Sequence, residues 1–291
     1  MSQLALDSRH QDGILAGLKR VAEGPLVVPL LIFLCAVLVP PFVFVFLTSF
    51  GEKGWTAGYY LKIISQPLYQ KVFLNTLEIG GSTAVLSIFL GYFVALHLSR
   101  CSRRKRALYL MLVMLPFWTS ILVKSFAFTI ILGTGGVING VIETVFGPGY
   151  KLAMIFNRVG VIIGLTHWLL PFAVFPILSS LLAQDRNLPV AAEIMGASRL
   201  RIFWTITFPQ TLPAIGAGAI MVAVIAMGSF VTPALLGGRG DLMLANMVDF
   251  YIREALDWPM ASAIAMALIF IAGAVALALQ LIRTIVRAVR P

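Results

Sequence analysis

The side chains that could do chemistry are few in this 291-residue sequence. Its three histidines, His10, His97 and His167, stand far apart, and no His-Glu-x-x-His or paired cysteine–histidine spacing would hold a metal ion. No Gly-x-Ser-x-Gly turn presents a nucleophile. No Gly-Lys dipeptide occurs, so the phosphate-binding loop of ATP-hydrolysing proteins is absent. The sequence therefore predicts a chain that is not an enzyme and has no catalytic residue, metal site or cofactor of its own.

The composition is that of a membrane protein. Hydrophobic residues make up 59% of the chain and charged residues 12%, which is far from the balance of a soluble domain. A helix needs roughly 20 apolar residues to cross the hydrocarbon core. Six runs approach or exceed that length, and one charge, Lys124, lies in the third; the runs are residues 26–49, 79–98, 107–132, 159–182, 212–236 and 260–282. The sequence predicts an all-α integral membrane protein with six transmembrane helices.

The basic residues predict the orientation, because cytoplasmic flanks of membrane helices carry an excess of lysine and arginine. The run from Arg100 to Arg106 is the strongest signal, and it places both termini in the cytoplasm. We expect a cytoplasmic segment at 1–24, one six-span domain at 25–285 and a cytoplasmic tail at 286–291. No soluble basic face with stacking aromatics suggests nucleic acid. The predicted cytoplasmic set is Arg9, Lys19, Arg20, Arg100, Arg103, Arg104, Lys105, Arg106, Arg186, Arg199, Arg201, Arg283, Arg287 and Arg290.

A polar segment at about 183–211, between the fourth and fifth spans, is predicted to form two short helices around Gly196. Its small residues would let the backbone of a partner protein approach closely, and its apolar residues would enter a groove of that partner. The alternative is an amphipathic helix that lies at the lipid headgroups, which Arg199 and Arg201 would equally suit. The small residues are Ala191, Ala192, Gly196 and Ala197, and the apolar ones are Ile194, Met195 and Phe203.

The spacing of this segment resembles the EAA loop of bacterial ABC importer permeases. Ala191 and Ala192 precede Gly196 by the interval of that motif, and Ile206 and Pro209 follow it in register. Val190 stands where the motif has glutamate, and Phe208 stands where it has leucine. The resemblance implies a coupling loop that binds an ATPase through Ala191, Ala192, Glu193, Gly196, Ala197, Arg199, Phe203, Ile206 and Pro209.

Three further segments resemble the spermidine/putrescine branch of these permeases. They are Leu-Pro-Phe-Trp-Thr-Ser at 115–120, Gly-Val-Ile-Asn at 136–139 and Phe-Val-Thr-Pro-Ala-Leu-Leu-Gly-Gly at 230–238. The resemblance implies a permease subunit of an ATP-driven, binding-protein-dependent importer in the bacterial inner membrane. It also implies a second homologous permease, two ATPase subunits that bind ATP and Mg, and a periplasmic substrate-binding protein.

The substrate that the resemblance implies is a polyamine, a flexible polycation. Its path should offer carboxylates to the ammonium groups and aromatic faces to both the ammonium groups and the methylenes. Glu78, near the outer end of the second span, is the predicted carboxylate, unless it is merely solvated at the headgroups. Lys124 would repel a polycation or contact an anionic group. For the aromatic residues of the path, the alternatives are packing between helices and a belt at the membrane interface. The candidate path residues are Glu78, Phe117, Trp118, Thr119, Lys124, Phe126, Phe230, Thr232 and Pro233.

Other substrates and another class of transporter stay open. The same kind of importer could carry an opine, an amino acid derivative such as 4-aminobutyrate, or an aminophosphonate. A stand-alone secondary carrier would need ion-coupling carboxylates within its spans, and Glu78 at one edge is the sole candidate in the sequence. We therefore favour the ATP-driven importer.

Overall fold

The structure, a computed structural model, describes residues 28–51, 55–185 and 187–288. The predicted N-terminal segment at 1–24, Arg186 and the end of the tail at 289–291 lie outside these residues. Within them the chain forms helices and connecting segments without a β-strand, which confirms the all-α prediction. In chain order the helices are α1 (Val28–Thr48), α2 (Gly58–Ser65), α3 (Pro67–Arg100), α4 (Arg103–Trp118), α5 (Ile121–Leu132), α6 (Val137–Phe146), α7 (Arg158–Ala183), α8 (Asn187–Ile194), α9 (Arg199–Ile202), α10 (Phe208–Met227), α11 (Val231–Leu236), α12 (Leu244–Arg253) and α13 (Trp258–Ala288).

Six helical stretches in the described part of the chain are long and apolar enough to cross a membrane, which confirms the predicted number. They run through α1, α3, α5 with α6, α7, α9 with α10, and α13. The second begins at Pro67, well before the apolar run at 79–98. At 34 residues, α3 exceeds the roughly 20 that a span requires, so it projects beyond the hydrocarbon core.

The prediction of one unbroken third helix over 107–132 is wrong. Helix α4 ends at Trp118, the backbone is extended at Thr119, and α5 begins at Ile121. Pro116 lies in the last turn of α4, and its missing N–H removes the bond to the Leu112 carbonyl. Because the chain leaves the helix after Trp118, the Pro116 carbonyl has no helical partner, and it accepts a hydrogen bond of 3.0 Å from the Thr119 hydroxyl and another from the Lys124 ammonium. These two donors stabilise a break that hydropathy alone does not reveal.

The fifth apolar run, predicted as one helix over 212–236, is also divided. Helix α10 ends at Met227, and α11 begins separately at Val231 after the intervening Gly228. The Gly228 N–H still donates to the Val224 carbonyl at 3.2 Å, so the last turn of α10 is closed before the chain turns away.

Helices α3, α7 and α10 pack against one another and form the core. Helices α3 and α7 approach closely at Gly91, where a Cβ atom would lie 2.9 Å from the Cβ of Ala173. Glu78 of α3 pairs with Arg158, the first residue of α7, so the two helices run in the same direction. Their carboxyl ends, Arg100 and Ala183, therefore lie on the same side of the bundle.

Candidate functional site

The segment at 187–202 forms two short helices, α8 and α9, joined by a turn at Gly196, as the sequence predicts. Gly196 has a φ of +84°, a left-handed conformation that favours glycine. The N–H of Ala197 donates to the carbonyl of Ala192 at 3.0 Å and closes the end of α8. The Ser198 hydroxyl accepts from the N–H of Arg201 at 3.4 Å and caps α9. Local hydrogen bonds thus define the shape of this loop.

The outer surface of the loop is unusually apolar. Ile194 and Met195 are 82% and 81% exposed, and Leu200 is exposed as well. Grouped large apolar side chains on a surface are typical of a contact with a partner protein or with the membrane. Glu193 and Arg199 are also exposed and place one charge of each sign beside them. The exposed apolar side chains can bind in an apolar groove, and the two charges can fix the position of the loop in that groove. Of the other predicted coupling residues, Ala191 is exposed, Ala192 is buried, and Ala197, Ile206 and Pro209 are half-buried.

An aromatic cluster connects the loop to the core. Helix α9 continues through a five-residue π-helical turn, Phe203–Thr207, directly into α10. Within the cluster, the Phe203 ring centroid lies 6.1 Å from that of Tyr92 on α3, and the Trp204 centroid lies 5.0 Å from that of Phe208. A displacement of the loop would therefore reach both α10 and α3. Sequence reasoning found Phe203 but missed Tyr92 and Trp204, because aromatic residues are common in apolar spans and give no signal of their own.

The break between α4 and α5 brings some of the predicted path residues together. The Lys124 ammonium donates to the Pro116 carbonyl and lies 5.7 Å from the ring centroid of Trp168 on α7. Phe117 packs edge to face on Phe172, with centroids 5.6 Å apart, and Thr119 donates to the same carbonyl as Lys124. The rings of Trp118 and Phe126 are both exposed on the surface of this chain.

The second group of path candidates lies at the start of α11. The Phe230 carbonyl accepts a hydrogen bond of 2.9 Å from Asn246, and the Phe230 side chain is partly exposed. Thr232 and Pro233 are buried. A Cβ atom at Gly164 of α7 would lie 2.8 Å from the Thr232 methyl carbon, so α11 and α7 are in close contact here. Thr232 therefore packs against α7, and both Thr232 and Pro233 are buried within this chain.

Glu78 lies in a charged cluster at the other end of the bundle from the loop. Its carboxylate pairs with the Arg158 guanidinium, which also lies 3.2 Å from an Asp241 oxygen and donates to Asn75 at 2.6 Å. Asn75 in turn donates to the Gly240 carbonyl at 2.7 Å. We call Asn75, Glu78, Arg158 and Asp241 the Arg158 cluster. It ties together α3, the start of α7 and the connection between α11 and α12.

The position of the Arg158 cluster matches a membrane boundary. From Glu78 to Leu98, the helical rise corresponds to about 30 Å, the thickness of the hydrocarbon core. Glu78 is 58% exposed, whereas Asp241 is 15% exposed. Sequence reasoning identified Glu78 but not its partners, because they are distant in the chain. Among the described residues no group of three or more histidine, cysteine, aspartate or glutamate side chains could hold a metal ion.

Residues 87–290 match the protein family described as binding-protein-dependent transport system inner membrane component. The chain is 34% identical over 231 residues to the spermidine/putrescine transport system permease protein PotB of Escherichia coli (strain K12), with 77% of this chain and 82% of the relative covered. It is 33% identical over 202 residues to PotB of Haemophilus influenzae, with 69% and 71% covered.

A solved structure has the same fold. The crystal structure of a bacterial alginate ABC transporter, in complex with an alginate pentasaccharide-bound periplasmic protein, contains a chain that superposes with a TM-score of 0.70. The superposition covers 87% of this chain and 91% of that chain at 16% identity. At this identity the likeness concerns the fold alone.

Proposed function

The chain belongs to the family of binding-protein-dependent transport system inner membrane components, and we propose that it carries polyamines such as spermidine and putrescine. It is a multi-pass permease subunit of an ABC importer in the inner membrane. The observation that supports the polyamine substrate best is the 34% identity to the Escherichia coli spermidine/putrescine permease over 82% of that relative.

In the proposed assembly this subunit pairs with a second homologous permease, two ATPase subunits and a periplasmic binding protein. The sequence has no phosphate-binding loop, so ATP and Mg would be bound by the ATPase subunits. None of the apolar window of α1 is buried within the chain, as expected of a helix whose neighbours are lipid or another subunit.

The proposed coupling starts at the loop formed by α8 and α9. An ATPase groove would take up Ile194 and Met195, which are the most exposed apolar side chains of the loop. Closure of the ATPase pair would displace α9, and the continuous π-helical turn would pass the displacement to α10. Because α10 packs against α3 and α7, the movement would reach the core of the bundle.

The proposed route for the substrate follows the two broken spans. Helix α5 packs against α11, so the break after Trp118 and the break after Met227 belong to neighbouring parts of the bundle. Trp118 and Phe126 present exposed aromatic faces, which attract ammonium groups and cover methylenes. Glu78 would receive an ammonium group only by sharing its exposed carboxylate with Arg158.

A second candidate is a solute that carries an anionic group as well as an amine, such as an amino acid derivative or an aminophosphonate. Two observations favour it: the pairing of Glu78 with Arg158, and the ammonium group of Lys124 beside the α4–α5 break. Both reduce the negative charge that the candidate path offers to a polycation.

The test is ATP hydrolysis by the complete importer in liposomes, together with its binding protein. Spermidine, putrescine, 4-aminobutyrate and an aminophosphonate would each be supplied to the same preparation. We expect stimulation by the two polyamines. Stimulation by one of the other solutes alone would keep the importer and replace its substrate, and hydrolysis that no solute stimulates would contradict both candidates.

A further inference from the structure

The turn between α3 and α4 forms a strongly basic hollow. It has a volume of about 760 Å³ and is lined by Ser99, Arg100, Cys101, Ser102, Arg103 and Arg106. Arg100, Arg103 and the adjacent Arg104 and Lys105 are exposed. Because α3 and α7 run in the same direction, this hollow lies on the same side of the bundle as the α8–α9 loop.

The electrostatics of this turn favour an anion. Four cations occupy the first turn of α4, where the helix dipole is already positive, and no acidic residue accompanies them. Ser102 stands at the N-cap position, but its side chain accepts no hydrogen bond from the first turn. None of the ion pairs among residues 28–51, 55–185 and 187–288 involves these cations.

The hollow is held in shape by Arg106. Its guanidinium donates to the carbonyl of Leu98 at 3.0 Å and to that of Cys101 at 2.9 Å. These bonds satisfy the last carbonyls of α3 and fix the turn between the helices. Arg106 is therefore a structural residue, and the side chains free to bind a ligand are those of Arg100, Arg103, Arg104 and Lys105.

An apolar groove of about 420 Å³ continues from the hollow between α3 and α4. The two are in contact, because Arg106 of the hollow donates from its Nε to the carbonyl of Leu98, which lines the groove, at 3.0 Å. The rings of His97 and Tyr109 meet in the groove with centroids 5.8 Å apart. The groove is lined by Phe93, Val94, His97, Leu98, Tyr109, Leu112 and Val113.

We propose that this combined site binds an anionic phospholipid, with its phosphate in the hollow and one acyl chain in the groove. Arg100 and Arg103, which line the hollow, bind the phosphate together with the free N–H groups of the first turn of α4. A free phosphate ion would use the hollow and leave the groove empty. The groove is apolar and belongs to helices at a membrane boundary, which favours a lipid over an acidic protein surface. The site is independent of the transported solute.

The first experiment is native mass spectrometry of the purified importer with phosphatidylglycerol or the zwitterionic phosphatidylethanolamine. Each basic residue at a membrane surface contributes a factor of roughly five to the binding of anionic lipid, so Arg100→Gln with Arg103→Gln should weaken phosphatidylglycerol binding about thirtyfold. The pair Arg100→Lys and Arg103→Lys should retain it, because a lysine provides the same charge. Lys62→Gln with Lys71→Gln removes two exposed charges at the other end of the bundle and should have little effect.

Leu112→Gln tests the groove separately, since it leaves every charge in place. We expect it to weaken the binding of long-chain phosphatidylglycerol several-fold, because it places a polar side chain in the apolar groove. Co-purification of the partner subunits checks that each variant has inserted and folded. Equal retention of both lipids, or equal loss in the two glutamine pairs, would overturn the proposal.

A second readout uses the native thiol of Cys101 in the hollow. In a Cys35→Ser background Cys101 is the remaining cysteine, and the rate of its reaction with a maleimide reports on the site. Phosphatidylglycerol should slow the reaction, whereas phosphatidylethanolamine and inorganic phosphate should not. Equal protection by inorganic phosphate would assign the hollow to a free anion. Protection by the ATPase subunits in the absence of phosphatidylglycerol would assign it to a protein contact. Either result contradicts the lipid site.

Discussion

Replacing Arg158 by glutamine removes the one cation of the Arg158 cluster. Asp241, which is 15% exposed, would then remain as a partly buried carboxylate without a counter-ion, and Asn75 would lose the donor at 2.6 Å. Glu78→Gln is a milder change at the same site. It removes a carboxylate that is 58% exposed, and Arg158 keeps Asp241 as its partner.

The two substitutions should therefore differ clearly in their effect on the free energy of unfolding. Breaking a buried ion pair costs about 3–5 kcal/mol, and breaking an exposed pair costs about 1 kcal/mol or less. The side chain of Arg158 is 31% exposed, between these limits. We expect a loss of roughly 2–3 kcal/mol for Arg158→Gln and about 0.5 kcal/mol for Glu78→Gln. The loss for Arg158→Lys should lie between these two values, because lysine keeps the charge but lacks the planar guanidinium that bonds several acceptors at once.

The assay is thermal unfolding of the purified importer in one detergent at one scan rate, which makes irreversible transitions comparable. The expected order of melting temperature is wild type and Glu78→Gln highest, then Arg158→Lys, then Arg158→Gln. Equal destabilisation by Glu78→Gln and Arg158→Gln would refute the reasoning, since it would make the exposed carboxylate as important as the shared cation. If Glu78 also binds a substrate ammonium, Glu78→Gln should slow transport of a cationic solute at an unchanged melting temperature.

Three further substitutions test other parts of the structure. Gly196→Asp should abolish substrate-stimulated ATP hydrolysis, because it combines a strained positive φ with a charge at the proposed contact. Gly196→Ala introduces the strain without the charge and should retain part of the stimulation. Full stimulation in Gly196→Asp would remove the loop from the coupling mechanism. Gly91→Ala should lower the melting temperature, since its Cβ would lie 2.9 Å from a Cβ of α7. The added Cβ of Gly81→Ala meets no atom within 4 Å, so this variant should keep the wild-type melting temperature. Equal effects of the two substitutions would contradict the close packing. Lys124→Met should cost about 1–3 kcal/mol by leaving the Pro116 carbonyl without this donor, and Lys124→Arg should cost less; an unchanged melting temperature in Lys124→Met would show that the bond is not structural.

Hydropathy and local motifs were enough to predict the fold class, the number of spans and the two short helices around Gly196. Each of these follows from residues that are close in sequence: a long apolar run cannot remain in water, and Gly196 adopts a backbone conformation that other residues disfavour. The two broken spans were missed for the same reason. An apolar run shows where a helix enters the membrane but not whether a proline, with a threonine and a lysine nearby, ends it halfway.

The roles of the charged residues were decided by tertiary structure. From sequence, Glu78 was an acid near a membrane boundary and Lys124 a charge in an apolar span. The structure gives Glu78 a partner in Arg158, on another helix, and gives Lys124 a carbonyl that a break in its own span leaves free. A charged group at the edge of a bilayer is stabilised by whatever lies within a few ångströms of it. Sequence fixes which charges exist, but only helix packing determines which of them meet.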